Sequence, residues 1–484
     1  MYSTMHAQDL VDALRYSDLQ VQGTARAGAM GNAFGALGGD FTSASINPAG
    51  IGLYRSSELT ITPISLSTRV ESNYYGNGMD DSNYKFSLSN FSYVYSMPVA
   101  AQNEAGIVSV NFGVGYNRVK DFNSYSIIQG DNVNGSYMDY FVDRANREIW
   151  NNFYEQLAWD ADLLLYDENS NEYWSDLQDA GYGQSQRKTY SKKGSIDEYS
   201  IVFGLNFNHK LYMGVAWGIN DLFYNESTTI FEQDENNSIP YFNDFHFNSY
   251  LSTSGTGHNF KAGIIYKPIN EVRLGVSIHT PTYYRLHDDF NTTMASYITY
   301  DDGSEKYNKY SPYNAYDYHL RTPMRATFSG AVVIGKKGLI SADYELVNYA
   351  NAKLRNARDG YDFYDENSDI SEAYKTSGNL RIGGELMPTK NVSLRAGFEY
   401  HGSAYSDVAF GASQMNSDAN LLVYSGGLGY RSGLFFADIA YRYSTVKEYE
   451  AAYPTPVSEI YPIPQLASFK SIKNDVLFTI GFKF

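Results

Sequence analysis

The side chains that most often do chemistry in proteins are few in this sequence, and they are not spaced as a catalytic or metal site. There are 8 histidines and no cysteine, so disulfides, thiolate metal sites and cysteine nucleophiles are excluded. No two histidines stand four residues apart, and no G-x-S-x-G, H-E-x-x-H, phosphate-loop or G-x-G-x-x-G motif occurs. His279 and His401 are predicted to be polar residues that face the lumen of a β-barrel, and not metal ligands. We therefore predict that the protein is not an enzyme and has no cofactor and no metal.

Four charged residues near the C-terminus have a spacing that predicts structural ion pairs. Arg381, Glu385, Arg395 and Glu399 are all odd-numbered and flank a predicted turn at Lys390. A hairpin about that turn places Glu385 opposite Arg395, and Arg381 opposite Glu399. Opposite charges in register on one face of two strands stabilise the pairing. Because an unpaired charge facing lipid at mid-depth would cost roughly 2–4 kcal/mol, these residues are predicted to line the lumen of a barrel.

The elements that would position these side chains alternate apolar and polar residues, as β-strands do. In the last one, every second residue from Val476 to Phe484 is apolar. The predicted strands are longer than the roughly 5–6 residues usual in soluble sheets, and long enough for the roughly 9–11 residues that a membrane crossing needs. We predict fourteen of them, at 57–70, 85–98, 106–120, 196–208, 211–225, 249–266, 271–286, 316–334, 338–348, 374–388, 391–403, 418–431, 433–447 and 469–484.

The gaps between these strands alternate between long and short. The gaps 71–84 and 121–195 are long, whereas 209–210 and 389–390 are short. Short turns at one end and long loops at the other are typical of outer-membrane barrels. The fold predicted for residues 57–484 is therefore all-β, a fourteen-stranded antiparallel transmembrane barrel in contact with outer-membrane lipid and lipopolysaccharide. With a net charge of −17, the protein is not expected to bind nucleic acid.

The residues before the first strand do not alternate. Residues 1–7 are interpreted as the remnant of a signal peptide, and residues 8–56 as a plug in the lumen, because the side chains of a fourteen-stranded wall cannot fill it. This segment is rich in glycine and ends in Asn47-Pro48-Ala49-Gly50. Pro48 fixes its own φ and Gly50 permits a tight turn, so these four residues are predicted to form a gating turn. A flexible periplasmic tail is the alternative.

The same segment resembles a known family. Gly23 to Ala33, Asp40 and the run from Ser43 to Leu53 are similar to the N-terminal hatch of the FadL family of long-chain fatty-acid transporters. The resemblance implies a fourteen-stranded outer-membrane barrel for passive uptake of hydrophobic small molecules, long-chain fatty acids or similar hydrophobic acids foremost. It also implies sideways release at the third strand, where Gly113 and Gly115 could permit an inward bend. Glycines that only make room for the plug are an equal alternative.

The longest loop, 121–195, is predicted to be partly helical. Ser136 and Asp139 have the spacing of a helix start. Apolar residues then recur every fourth position, so they remain broadly on one side of a helix. A second short helix is predicted at 171–180. The stripe either packs against neighbouring loops or captures ligand at the cell surface, and the residues concerned are Phe141, Ile149, Trp150, Phe153 and Leu157.

Several functions remain open at this point. Hydrophobic uptake is the first, with haem and aromatic compounds as alternative cargo. A non-transporting scaffold or secretion-machinery subunit on the same fold is the second, and a soluble β-rich protein that binds carbohydrate is the third. We expect a monomer whose last strand, ending in Phe484, is recognised by the barrel-assembly machinery.

Overall fold

The computed structural model describes residues 10–99, 106–335, 337–407 and 416–484. The predicted signal-peptide remnant, residues 1–7, lies outside the described residues. The main sheet is antiparallel and closes on itself, because the first strand pairs with both the second and the last. It forms a barrel of fourteen staves, a stave being one passage of the chain along the wall, and this confirms the predicted fold class.

Ten staves are single strands: β1 (Glu58–Tyr74), β2 (Asn77–Pro98), β7 (Ser185–Phe207), β8 (Leu211–Gln233), β9 (Phe242–Tyr266), β17 (Thr376–Leu386), β18 (Val392–His401), β19 (Leu421–Ser432), β20 (Phe435–Ala451) and β21 (Leu466–Lys483). Four staves consist of two strands each: β3 (Ile107–Asp121) with β4 (Ser124–Gly130), β10 (Val272–His279) with β11 (Tyr283–Tyr300), β13 (Asn314–Arg321) with β14 (Arg325–Ile334), and β15 (Gly338–Asn348) with β16 (Lys353–Asn356). The loops contain β5 (Leu165–Asp167), β6 (Glu172–Trp174) and β12 (Gly303–Tyr310).

Two staves predicted to be continuous are interrupted, and proline explains both breaks. Pro281 separates β10 from β11, and Pro323 separates β13 from β14. Proline has no N–H to donate to a ladder and is excluded from the middle of a sheet. The breaks lie side by side, because the Thr322 N–H donates to the Thr282 carbonyl at 3.0 Å. The predictions for 271–286 and 316–334 were wrong in this respect.

Other staves extend further toward the loop end than predicted. β7 and β8 pair over 23 residues each, where 196–208 and 211–225 were predicted. β1 and β2 are joined at Tyr75 and Gly76, both with positive φ, which is the geometry of a tight hairpin turn. The predicted loop 71–84 was therefore wrong. Apart from Ile230 and Phe231 of β8, these extensions are mostly polar on both faces, so the period of two does not show in their hydrophobicity.

The two faces of the wall differ as the alternation predicts. On β21, Val476, Phe478 and Phe482 face outward and are 41%, 42% and 50% exposed. Asp475 and Thr479, at alternate positions of the same strand, are buried. The apolar outer face suits lipid, and the polar inner face needs partners inside the barrel.

The helices are short and belong to the lumen and the loops. They are α1 (Leu10–Arg15), α2 (Ala25–Ala29), α3 (Tyr137–Asn146), α4 (Glu155–Asp160), α5 (Asp176–Asp179) and α6 (Tyr364–Ala373), with 3-10 helices at Phe41–Ser45, Pro48–Leu53 and Tyr349–Asn351. In the described part of the chain, none is long and apolar enough to span a membrane. A large apolar cluster lies beneath the loops, and a second surrounds Tyr16 just after α1.

Candidate functional site: the filled lumen

Residues 10–56, here called the N-terminal segment, lie inside the barrel. α2 contacts β18, β19, β20 and β21, whereas the 3-10 helix Pro48–Leu53 contacts β7, β8 and β9 on the opposite side. Nearly every residue between Gln22 and Gly52 is buried. The segment therefore spans the lumen from wall to wall.

Glycine allows the segment's backbone to touch the backbone of the wall. A Cβ on Gly52 would lie 2.6 Å from the Leu205 carbonyl oxygen, and one on the wall residue Gly204 would lie 2.5 Å from the Gly52 nitrogen. Across the lumen, a Cβ on Gly31 would lie 2.9 Å from the Phe398 nitrogen. Any larger residue at these points would push the segment away from the wall.

The predicted gating turn is held at its first residue. The Asn47 side chain is fully buried and caps the 3-10 helix by accepting from the Ala49 N–H at 3.1 Å. Its amide nitrogen donates to the Gly35 carbonyl at 2.6 Å and to the Ile264 carbonyl of β9 at 3.4 Å. One side chain thus joins the turn, the preceding part of the segment and the wall.

Carboxylates of the wall hold the rest of the segment. Arg26 donates to Glu385 at 3.3 Å, and the Asn32 amide donates to Glu399 at 3.2 Å. Further along, the Gly35 N–H donates to Asp343 at 2.8 Å and the Ser45 hydroxyl donates to Glu198 at 2.6 Å.. Hydrogen bonds to buried charges are stronger than neutral ones, so these contacts fix the segment at several heights. The carboxylates are Glu198, Asp343, Glu385 and Glu399.

The four predicted wall charges share the expected register but not all of the expected ion pairs. Glu385 lies opposite Arg395 and Arg381 lies opposite Glu399. Arg395 donates to Glu385 at 2.6 Å. Arg381 instead forms its ion pair with Glu345 of β15 at 3.3 Å. Glu399 accepts from Arg442 of β20 at 3.0 Å. Side chains that face a crowded lumen reach strands outside their own hairpin, which pairwise register does not predict.

Gly113 and Gly115 face the lumen and form the seat of one aromatic ring. A Cβ on Gly115 would lie 2.5 Å from Phe41 Cε1, and one on Gly113 would lie 3.1 Å from Phe41 Cε2. Phe41 is 1% exposed. At these two glycines β3 pairs regularly with β2 and β7. Sequence reasoning missed Phe41, because the path of the N-terminal segment through the lumen decides which of its residues meets a glycine of the wall.

The wall has a seam a short distance above these glycines. β3 pairs with β2 only as far as Asn117 opposite Asn90, and in the described chain residues 77–88 of β2 pair on the β1 side alone. β4 contacts inward-facing side chains of β1 and β2, because the Ser72 hydroxyl donates to the Ile127 carbonyl and the Ile127 N–H donates to Asp81 at 2.9 Å. The third stave therefore bends inward, and the edge of β2 is left unpaired.

A cavity of about 240 Å³ lies between the start of the segment and the wall. Its larger apolar lining residues are Leu14, Phe122, Tyr349, Tyr405, Leu421 and Val446. Its charged and titratable lining residues are Lys120, Lys473, His401, Asp18 and Glu448. Lys120 is neutralised by Asp18. Burial opposes ionisation of Asp18, but the Lys120 ammonium outweighs it and lowers the pKa of Asp18 to about 2.

Lys473 differs from Lys120 in its partners. Its ammonium donates to the Asp121 carbonyl oxygen at 3.4 Å, and none of the described carboxylates lies within ion-pair distance of it. Sequence reasoning missed this residue. The strand register could have indicated it. The residues opposite Lys473 on the two adjacent strands are Thr68 and Ser444, and neither can form an ion pair with it.

The predicted loop stripe is divided between two helices. Phe141 in α3 and Leu157 in α4 are buried in the cluster beneath the loops, and Phe153 packs on Phe290 with ring centroids 5.7 Å apart. Ile149 is half-buried, and Trp150 is 40% exposed. The chain between the helices reverses at Glu148, which has positive φ. The prediction of one continuous helix was therefore wrong, and the second predicted helix, 171–180, is reduced to α5.

The start of α3 contains a buried carboxyl group outside the membrane-spanning wall. Ser136 and Asp139 form the predicted capping box. Burial raises the pKa of Asp139 from its ordinary value of 3.8 to about 7, although hydrogen bonds from the Ser136 N–H and the Tyr182 hydroxyl oppose the rise. Among the described residues, no group of three or more potential ligands could hold a metal ion.

Comparison with known proteins identifies the family. The model of the family described as outer membrane protein transport protein (OMPP1/FadL/TodX) matches residues 196–483, which is more than half of the chain. No curated protein sequence is significantly similar. Among solved structures, the Pseudomonas aeruginosa FadL homologue has 12% identity over 96% of this chain and 98% of its own, with a TM-score of 0.55.

Two further structures have the same fold. The Pseudomonas putida toluene transporter TodX is 14% identical over 96% of this chain and 98% of its own, with a TM-score of 0.50. The CymD monoaromatic hydrocarbon channel is 12% identical over 96% of this chain and 97% of its own, also at 0.50. At these identities the likeness shows the fold alone. The family match shows more: the chain is an outer-membrane barrel and belongs to the OMPP1/FadL/TodX family of outer-membrane transport proteins.

Proposed function

We propose that this protein takes up a long-chain fatty acid or a similar hydrophobic acid by passive transport. The observation that carries the proposal is the lumenal cavity, whose lining combines apolar side chains with Lys473, an ammonium group that has no described carboxylate within ion-pair distance. The carboxylate of the cargo would bind Lys473, and its chain would lie along Leu14, Phe122 and Leu421. A hydrogen bond that involves a charged group contributes roughly 1.5–3 kcal/mol, which is enough to favour an acid over a hydrocarbon of equal length.

Neutral aromatic compounds are the alternative cargo. Of the structures with the same fold, one is named a toluene transporter and another a monoaromatic hydrocarbon channel. Such molecules would gain only from the apolar lining residues of the cavity and would offer no negative charge to Lys473, whose ammonium donates to a neutral acceptor, the Asp121 carbonyl oxygen. The presence of Lys473 in the lining therefore supports the acid.

The proposed route uses the loops for entry and the seam for exit. Ligand would first bind near Trp150 and Phe153 at the loop end and pass the apolar cluster beneath the loops. It would leave sideways where pairing between β2 and β3 ends at Asn117, two residues beyond Gly115. In this proposal Gly113 and Gly115 seat Phe41 of the N-terminal segment, and release requires the ring to move off the seat.

The gating turn Asn47 to Gly50 would respond to the same movement. Asn47 bonds both to the segment and to β9, so a shift of the segment toward or away from the wall changes its hydrogen bonds. We propose that this turn sets how readily the segment moves. The segment itself acts as the plug that prevents leakage when no cargo is bound.

The test is the affinity of radiolabelled oleate for the purified barrel, compared between Lys473→Gln and Lys470→Gln. Lys470 lies on the same strand but is exposed and paired with Glu71 at 3.2 Å, so it is a matched control. We expect Lys473→Gln to weaken oleate binding at least about tenfold, to leave toluene binding unchanged, and Lys470→Gln to have no effect. Equal oleate affinity in all three proteins would contradict the acid proposal.

A different result would show that the protein is a non-transporting scaffold and not a transporter. If cells that carry the barrel accumulate neither oleate nor toluene faster than cells without it, and a partner co-purifies in equal amount, the transport proposal fails.

We also propose that the barrel works as a monomer and that its last strand, ending in Phe484, is the part recognised by the barrel-assembly machinery.

A further inference from the structure

A second concave site lies on the loops, far from the lumenal cavity. It is a groove of about 790 Å³ between the long loop that follows β4 and the loop that joins β20 to β21. All of its lining residues lie outside the membrane-spanning wall. The lining of this loop groove combines four aromatic residues, Tyr166, Tyr173, Trp174 and Tyr461, with nine polar or charged ones, among them Arg147, Glu172, Gln178 and Asp179.

Aromatic rings form part of the lining of the loop groove. Tyr166 is 38% exposed, and its ring centroid lies 5.0 Å from that of Tyr173. Tyr173 in turn contacts Trp150 at 5.6 Å and Trp159 at 6.1 Å, so the aromatic surface continues beyond the groove. Soluble parts of proteins rarely expose so many large rings together without a ligand or partner for them.

The same groove provides hydrogen-bond acceptors. The side-chain oxygen of Gln178 is buried and has no hydrogen-bond partner among the described residues. Glu172 and Asp179 are exposed, and neither has an ion pair among the described residues. A buried acceptor without a donor is unfavourable, so a ligand that offers hydroxyl groups at this point would satisfy it.

The groove is held in shape by hydrogen bonds across its base. The Asn146 amide group both donates to the Tyr173 carbonyl at 2.8 Å and accepts from the Tyr173 N–H at 2.6 Å. The Asp143 carboxylate accepts from the N–H groups of Val457 and Ser458 at 2.9 and 3.2 Å. These contacts fix the two loops relative to each other, so the site is formed before a ligand binds.

We propose that the loop groove binds a neutral hexose oligosaccharide at the cell surface. Sugar rings present an apolar face that stacks on aromatic rings, and their rims carry hydroxyl groups that donate to amide and carboxylate oxygens. An alkyl chain would leave Gln178, Glu172 and Asp179 desolvated without partners. An anionic ligand would be repelled, because the lining contains the four carboxylates of Asp143, Asp167, Glu172 and Asp179 but one cation, Arg147, which is paired with Asp143 at 3.7 Å. The site and its ligand are independent of the uptake proposed for the lumen.

The test is isothermal titration of the full-length barrel with cellohexaose, maltohexaose and mannohexaose. The detergent must be free of sugar, for example an amine oxide, because glycoside detergents would compete. We expect at least one hexasaccharide to bind, Tyr166→Ala to weaken that binding roughly tenfold, and Gln178→Leu to weaken it as well. Tyr310→Ala is the control, since Tyr310 is 75% exposed on β12 and outside the groove.

Three outcomes would overturn the proposal. The first is that none of the three hexasaccharides binds the wild-type barrel at millimolar concentration. The second is that Tyr310→Ala weakens binding as much as Tyr166→Ala does. The third is that Tyr166→Ala weakens binding of benzyltrimethylammonium or oleate while no sugar binds, which would assign the groove to a cation or to the transported cargo. Thermal unfolding of each variant shows whether the barrel is intact.

Discussion

Replacing Gly115 with valine should dislodge Phe41 from its seat. The new Cβ would lie 2.5 Å from Phe41 Cε1 and 2.7 Å from the Ser92 Cβ, well inside van der Waals contact. Overfilling a packed site of this kind costs roughly 1–3 kcal/mol. Valine suits a strand in other respects, so the loss in the free energy of unfolding should arise from this clash.

A double-mutant cycle isolates the contact. Phe41→Ala alone should cost roughly 3–5 kcal/mol, because it empties a buried site. In that background Gly115→Val should cost much less than in the wild type, since the valine fills part of the void. The matched control is Gly330→Val, because a Cβ on Gly330 meets nothing within 4 Å.

The assays are urea unfolding in phospholipid vesicles and conductance in a planar bilayer. Gly115→Val should lower stability and raise the leak current, and Gly330→Val should change neither. If the effects of Gly115→Val and Phe41→Ala are additive, the two residues are not coupled. The glycines would then not be a seat for the segment, and an inward bend of β3 would be the better account of them.

Three other predictions concern charges and caps. Arg395→Ala should lower the free energy of unfolding by roughly 3–5 kcal/mol in the same vesicles. Adding Asp438→Asn should restore more of that loss than adding Glu385→Ala. The reason is that Glu385 keeps Arg26 as a partner, whereas Asp438 keeps no ion-pair partner among the described residues. Because the pKa of Asp139 is raised from 3.8 to about 7, the folded state favours its protonated form. The protection of the α3 amides against hydrogen exchange, corrected for the intrinsic exchange rate, should therefore be complete below about pH 3.8 and fall as the pH rises through about 7. Asp139→Asn should remove that dependence, and an unchanged profile would show that another group titrates. Asn47→Ala should slow oleate uptake without raising conductance, and a leak in this variant would mean that the side chain holds the plug closed.

The strands that cross the lipid could be predicted from the sequence because lipid imposes a strict alternation on them. Val476 and Phe478 face outward as predicted, and the hairpin about Lys390 has the predicted register. The predicted bounds and continuity of the staves were wrong where lipid no longer imposes that alternation. Residues 185–195 of β7 project beyond the membrane and are polar on both faces, and Pro281 breaks a stave whose apolar pattern continues through it.

The interior could be predicted only in outline. A glycine-rich segment indicates close packing, but not that Gly52 meets Leu205 or that Gly115 meets Phe41. These contacts depend on the path of the segment through the lumen, which no local pattern encodes. For the same reason Arg381 was assigned to its hairpin partner and not to Glu345, and the cavity beside Lys473 was missed.

The most direct measurement of the whole account is the single-channel conductance of a barrel that lacks residues 8–45. These residues include α1, α2 and the 3-10 helix Phe41–Ser45, and thus most of what fills the lumen. We expect the intact protein to be nearly closed and the deletion variant, still folded by its resistance to unfolding in detergent, to form an open channel with little selectivity. If the folded deletion variant conducts no better than the intact barrel, the segment does not close the lumen and the proposed uptake route is contradicted.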